Sequence, residues 1–497
     1  MSKSLAEPVS IAAPRHSAPA PVALAEAPPL ESSSAIRGIV FRLAWPSIVE
    51  NMLQSIYGLL LVMMIGQLGS SAIAGVGAAN SLIQVAMACF FAVSMGTTVL
   101  VAHAVGALNH EAASRAAKQS LVFGLILGLI ISALGVLFAP QAIAMLGAQP
   151  EVVAQGSSFL RAFSLGGISM VVTFIAGSIM RGSGDARTPM LVTLISLAIS
   201  LAIGYPLIFG KFGLPALGAV GAGVAGALVR SVGCLVLVGL LFRAGRPVSL
   251  RGWHDWRPAL APFRRLVNIG LPSMFESLFR AGGMLHHRGV PRERCAALFR
   301  AGGMLLFSVI VFRLGTATAA AQQIVQQIAL FSMMPGFGFS MAAMTLVGQS
   351  LGAENPVRAE RAAWFSTRSC IFWMGAMGLA FFFGGPQIMA LFTADADIIA
   401  QGAAALKIVA LAQPGQAFGM VLAGALRGAG DTRYPMMSTG GVMWLVRLPV
   451  AWFCGIFLGF GLVGVYSGWL VDSLVLSGLN WLRYRTGAWK QRRVRVA

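Results

Sequence analysis

The chain repeats itself. Residues 181–190 read R-G-S-G-D-A-R-T-P-M and residues 427–436 read R-G-A-G-D-T-R-Y-P-M, so Arg181 and Arg427 stand 246 positions apart. The same offset of 246 relates Gly106 of V-G-A-L-N to Gly352 of V-G-Q-S-L-G-A-E-N, and Gln67-Leu68-Gly69 to Arg313-Leu314-Gly315. A chain duplicated in this way folds into two similar halves. In a membrane protein, tandem halves point to a solute path between two lobes.

Composition places the halves in a membrane. Hydrophobic residues make up 57% and charged residues 10% of the 497 positions, against roughly 25% charged in soluble domains. Apolar runs of about 20 residues recur along the chain, long enough to cross a bilayer as helices. They start near Val40, Ala72, Gln119, Val152, Thr188 and Ala216, and again near Leu266, Thr318, Ala362, Ile398, Pro435 and Gly461. The expected fold is therefore all-α and integral to the membrane. About twelve transmembrane helices form two duplicated six-helix lobes around a central cavity. The expected division is 1–36 a disordered cytoplasmic tail, 37–243 the first lobe, 244–264 a basic cytoplasmic linker, 265–483 the second lobe, and 484–497 a basic cytoplasmic tail. The first tail has no apolar core and is not read as a cleavable signal.

The net charge of +20 does not indicate nucleic acid. Lys and Arg gather in the tails and the even-numbered loops, as at Arg115, Lys118, Arg251, Arg257 and Arg483. That is the positive-inside pattern, with both termini cytoplasmic. The expected partners are a small-molecule substrate and membrane lipid, with no nucleic acid, and the chain is expected to be a monomer. Five cysteines show no disulfide or zinc spacing, and no cofactor or metal site is expected. No H-E-x-x-H or clustered Asp/His set suggests an enzyme.

L-A-W-P-S at 43–47, I-G-Q-L-G-S-S-A-I-A-G at 65–75, M-P-G-F-G at 334–338, L-V-G-Q-S-L-G-A-E-N at 346–355 and the two R-G-x-G-D-x-R-x-P segments resemble the MATE family (multidrug and toxic compound extrusion). The resemblance covers about Gly38 to Trp489. It implies two six-helix lobes around a cavity, and export of cargo, most commonly organic cations, against entry of protons or sodium. A flippase or exporter of lipid-linked or anionic cargo is the alternative within the superfamily. Many members carry an Asp in helix one where this chain has Leu61, so the coupling acid must be sought elsewhere.

Ionisable groups in apolar helices are costly and informative. Glu50 and Glu276 each lie one turn past a proline, Pro46 and Pro272, at an offset of 226. They are the expected ion-coupling residues. A desolvated Glu can hold a proton. With Asn51 or Gln54 and carbonyls freed by proline it can instead bind sodium. Arg181, Asp185 and Arg187, with Arg427, Asp431 and Arg433, are read as a structural loop motif. Its aspartates either cap the next helix or pair with Arg187 and Arg433. Tyr57, Asn51, Gln54, Gln322, Gln326, Phe331 and Met334 are the expected cavity residues. Four amides at Gln322, Gln323, Gln326 and Gln327 suit helix contacts or cargo, not lipid. Arg161 and Lys407, again 246 apart, are read as side chains snorkelling to the outer interface, with an acid partner across the lobe as the alternative. Arg230, Arg447 and Asp472 have no duplicate.

The offset grows by 20 between Glu276 and Gly315, from 226 to 246, because L-F-R-A-G-G-M-L occurs at 278–285 and again at 298–305. The copies enclose H-H-R-G-V-P-R-E-R-C-A-A, a charged filler unsuited to hydrocarbon. Transport impaired by this insertion is a further expectation.

Overall fold

The computed structural model describes residues 33–68, 70–145, 150–213, 215–243, 247–252, 255–259, 263–272, 316–491 and 494. The terminal residues 1–32, Glu276 and the insertion at 278–305 lie outside them. Before the undescribed stretch at 273–315 the chain has a helical segment at 263–272, preceded by eight helices. They are α1 (Ser33–Gly66), α2 (Ser70–Gly106), α3 (His110–Leu137), α4 (Ala139–Ala144), α5 (Pro150–Leu165), α6 (Gly167–Gly182), α7 (Arg187–Phe209) and α8 (Ala219–Leu241). After it come α9 (Thr316–Gly352), α10 (Pro356–Ala390), α11 (Ala396–Gly428), α12 (Arg433–Val442), α13 (Leu448–Trp452) and α14 (Gly461–Arg485). Among the described residues, 10 helices are long and apolar enough to cross a membrane, or 11 if α5 and α6, bent by 51° at Gly166, are one span. The all-α membrane architecture expected from the apolar runs is what the chain adopts.

Each repeated motif is a way of stopping one helix and starting the next. At Gly184 and Gly430 the backbone turns left-handed, with φ of +97° and +82°. The N–H of Asp185 reaches the carbonyl of Met180, and that of Asp431 reaches Leu426, both at 2.9 Å. Gly184 and Gly430 also bond back to Arg181 and Arg427. These are Schellman caps, which satisfy the last carbonyls of α6 and α11 and require the glycine. The other duplicated loop is built alike, with Leu108 and Glu354 in the left-handed position at φ 55° and 54°. Asn109 then accepts the N–H of Ala112, and Asn355 that of Arg358, each at 2.9 Å, opening α3 and α10.

The two lobes meet mainly through α1 and α2 of the first against α9 of the second. Residues between the lobes are not a loose tether. Lys118 Nζ donates to the carbonyls of Arg251 and Gly252, and Gln119 Nε2 to those of Asp255 and Arg257. At the other end of the chain Trp489 is fully buried, and Lys490 pairs with Glu360 at 2.6 Å. Val494 packs with Met95, Val99 and Met344, where α2 and α9 meet.

Deleting Leu278 to Ala297 leaves one copy of the octapeptide and returns the second half to the 226 register. The shortened protein is expected to equal or exceed the parent in thermal unfolding temperature and in efflux. An inactive deletion beside an active parent would show that the added 20 residues carry function.

Candidate functional site

The ends of α2, α6, α9 and α11 form a reciprocal clasp between the lobes. His103, on α2, places Nε2 at 2.9 Å from the carbonyl oxygen of Gly428, the last residue of α11, and donates its N–H to it. Gln349, on α9, donates from Nε2 to the carbonyl of Gly182, the last residue of α6, also at 2.9 Å. His103 and Gln349 are 246 positions apart, and so are Gly182 and Gly428. The duplication therefore generates both halves of the clasp. A helix end has carbonyls to spare, and a side chain from the opposite lobe takes one at each.

Close backbone approach makes the clasp possible. A Cβ on Gly106 would overlap the backbone of Gln349, and one on Gly352 the backbone of His103. The repeated glycines flagged in the sequence are thus where the two lobes cross. Arg115 and Lys118, early in α3, and Arg251, whose carbonyl Lys118 binds, lie at this end, so the lobes are closed together at the basic end.

Glu50 lies where α1 packs against α7. Arg181 Nη1 donates to its Oε2 at 3.1 Å, and Thr193 Oγ1 contacts Oε1 at 3.4 Å. The side chains of Arg181 and Glu50 are only 12% and 14% exposed, so the pair is screened little by water. Arg181 belongs to the duplicated loop motif, which is therefore more than a turn: its first residue binds the intramembrane acid. In the second half the same two sequence positions are Glu276 and Arg427.

Other expectations are corrected or refined. Asp185 accepts from the N–H and hydroxyl of Thr188, at 3.0 and 2.6 Å, and so caps α7. Asp431 pairs with Arg483 at 2.9 Å, not with Arg433, which is exposed like Arg187. Around this acid, Glu50 faces Arg181, Asn51 donates to the carbonyl of Ser47 on its own helix at 2.7 Å, and Gln54 is exposed. Glu50 and Asn51 are adjacent, so their side chains point about 100° apart around the helix. Gln322 donates to Gln326 at 3.0 Å, whereas Gln323 and Gln327 lie on the exposed face of α9. Phe331 is exposed, and Met334 receives a contact from Ser55 of the other lobe at 3.9 Å. Tyr57 shares a hydrogen bond with Ser200 at 2.9 Å. Arg161 is exposed and bonds the carbonyl of Val136, while exposed Lys407 sits 6.0 Å from the Phe382 ring, so among the described residues neither pairs with an acid.

Sequence reasoning missed His103, Gln349 and Thr193. A signal was available for the first two, since both are polar, both lie three residues before a repeated glycine, and they are 246 apart.

Two duplicated helical lobes, bonded to each other at one end through symmetry-related side chains, define a two-lobe membrane transporter. The MatE family model matches residues 46–206 and 296–453, more than half of the chain, and the protein belongs to that family. It is 29% identical over 469 residues to the probable multidrug resistance protein NorM of Thermotoga maritima, covering 94% of this chain and 96% of that one. It is 26% identical over 463 residues to the uncharacterized transporter YisQ of Bacillus subtilis, covering 91% and 95%. In fold it resembles a multidrug resistance MATE family transporter solved in an outward-facing conformation, with a TM-score of 0.81, 22% identity and coverage of 93% and 99%. It also resembles a Pyrococcus furiosus transporter described as having a binding pocket of reverse polarity, with a TM-score of 0.79, 21% identity and the same coverage.

Proposed function

We propose that the protein exports amphipathic small molecules across the cytoplasmic membrane, driven by proton or sodium entry. The observation that carries this reading is the reciprocal clasp. A two-lobe transporter works by closing one end of its path while the other opens, and these lobes are clasped together at the basic end. With the basic end cytoplasmic, this is the state that releases cargo outward. Relatives named as probable multidrug resistance proteins favour export of foreign compounds.

Coupling is assigned to Glu50 and Glu276. An entering ion competes with Arg181 for the Glu50 carboxylate, so ion binding and release of the α6 terminus become one event. That terminus is also where Gln349 grips the first lobe. Ion occupancy at Glu50 thereby acts on the clasp through a single helix end.

Everted membrane vesicles test the reading. Uptake of a fluorescent amphipathic dye should follow an imposed proton or sodium gradient and collapse with it. Uptake that ignores both gradients would rule out coupled export. Sidedness is checked separately: reporter fusions at Ala112, Gly184, Arg251 and Arg433 should all read cytoplasmic, and an external reading at Arg251 would reverse the topology.

A further inference from the structure

Coupled export leaves the charge of the cargo open, and the first lobe narrows it. Arg230 is the twelfth of the 23 residues of α8. It therefore sits about 16 Å along the helix, near the middle of a hydrocarbon layer about 30 Å thick. Ionised side chains at that depth are rare and serve a partner or a ligand. Arg230 has an aromatic partner, Phe163 of α5, with the guanidinium carbon 4.5 Å from the ring centroid. Its Nη1 is buried and has no hydrogen-bond partner among the described residues. None of the ion pairs there includes it.

The acids near it are few and accounted for. The helices packed on α8 are α5, α6 and α7. Neither α6 nor α7 contains Asp or Glu, and the acid of α5, Glu151, is in its first turn. Twelve residues separate Glu151 from Phe163, about 18 Å along a helix. Glu50 on α1 is held by Arg181. Among the described residues near Arg230, the one carboxylate, Glu50, belongs to Arg181.

Space has been left beside the free one. In a helix a side chain leans back over the preceding turn, which for Arg230 is Gly226. A Cβ on Gly226 would lie 3.9 Å from Arg230 Cζ and Nη1 and 3.9 Å from the Tyr57 hydroxyl. Guanidinium and phenol therefore converge on one point, and the absent side chain keeps it open. Arg230 supplies a free donor, and Tyr57 a second when Ser200 donates to its oxygen, on a cationic background of low dielectric where an acidic group is bound strongly.

We propose that Arg230 and Tyr57 form an anion-binding subsite in the first lobe, which takes the carboxylate, sulfonate or phosphate of an amphipathic cargo. The subsite rests on the export reading for its purpose, not for its existence. Its depth argues for a soluble amphiphile over a lipid headgroup, which stays at the interface about 15 Å away. Phe163 and the apolar walls accept the cargo's body while Arg230 holds its charge.

The test uses the full-length protein in neutral detergent and a matched pair of probes, naphthalene-1-sulfonate and trimethyl(1-naphthyl)ammonium. Equilibrium dialysis should show the sulfonate bound about 10-fold or more tighter than the ammonium, the scale of one charge-assisted hydrogen bond. Arg230→Gln should remove that preference and Arg230→Lys keep most of it. Gly226→Leu, which leaves every charge in place but fills the shared space, should also weaken sulfonate binding. Monodispersity by gel filtration identifies any variant that fails to fold, and the parent's own probe preference remains decisive if one does. Equal or tighter binding of the ammonium by the parent overturns the proposal, as does sulfonate affinity unchanged within about twofold in Arg230→Gln. Displacement of the sulfonate by dioctanoyl phosphatidylglycerol would assign the site to lipid and overturn the cargo assignment. Gradient-driven vesicle uptake is read separately, so loss of coupling and loss of the subsite are distinguishable.

Discussion

Replacing Gly106 and Gly352 together with valine is expected to open the basic end. Each added side chain would overlap backbone of the opposite lobe, at Gln349 and His103. Overpacking of this kind costs about 1–3 kcal/mol per site. The cost falls only on the clasped state, because the overlap disappears when the lobes part. Two such costs sum to about 2–6 kcal/mol, enough to shift a two-state equilibrium by roughly 30-fold to 10⁴-fold. Removing a bond instead, as in His103→Ala or Gln349→Ala, loses about 1 kcal/mol and should shift it far less. Spin labels at Glu111→Cys and Val357→Cys, in a background without the 5 native cysteines, report the separation. The double valine variant should show a longer distance as its main population. Gly375→Val on α10, where a Cβ meets nothing within 4 Å, should leave the distribution unchanged. An unaltered distance in the double valine variant would mean that the crossing does not govern closure.

The architecture was legible in the sequence because two signals are long and redundant. Apolar runs of membrane length mark each span, and the 246 offset marks the second copy. Glu50 stood out for a similar reason, since a charge in an apolar run is costly and calls for water, an arginine or a function to hold it there. Its partner was hidden. Arg181 reads locally as part of a turn, and the turn is real; the 131 positions between the two residues conceal the ion pair. The clasp was half visible. Repetition exposed Gly106 and Gly352, but His103 and Gln349 differ in chemistry and share only the capacity to donate to a carbonyl. Asp185 and Asp431 show the opposite limit: within similar motifs, Asp185 holds the N–H and hydroxyl of Thr188, a position that is Tyr434 in the second copy, while Asp431 binds Arg483 of α14.

Converting Glu50 and Glu276 together to glutamine is expected to reduce gradient-driven efflux to that of membranes without the protein, while dye binding persists. The geometry adds a structural consequence that must be separated from the functional one. Removing the Glu50 charge leaves Arg181 little exposed and without its carboxylate, a loss of about 1–3 kcal/mol for a partly exposed pair. Glu50→Gln alone should therefore lower thermal stability as well as coupling. Glu50→Gln with Arg181→Met removes both charges and should recover most of the stability, since an unpaired charge is worse than none. It should not recover coupling, because no carboxylate remains to receive the ion. Coupling and stability that return together would make Glu50 a structural anchor for the α6 terminus. Full ion-driven efflux from the Glu50→Gln, Glu276→Gln variant would remove both acids from the mechanism. If coupling alone is lost, the carboxylate that holds Arg181 is also the one the ion must take, and the competition between them links ion entry to the lobes' grip on each other.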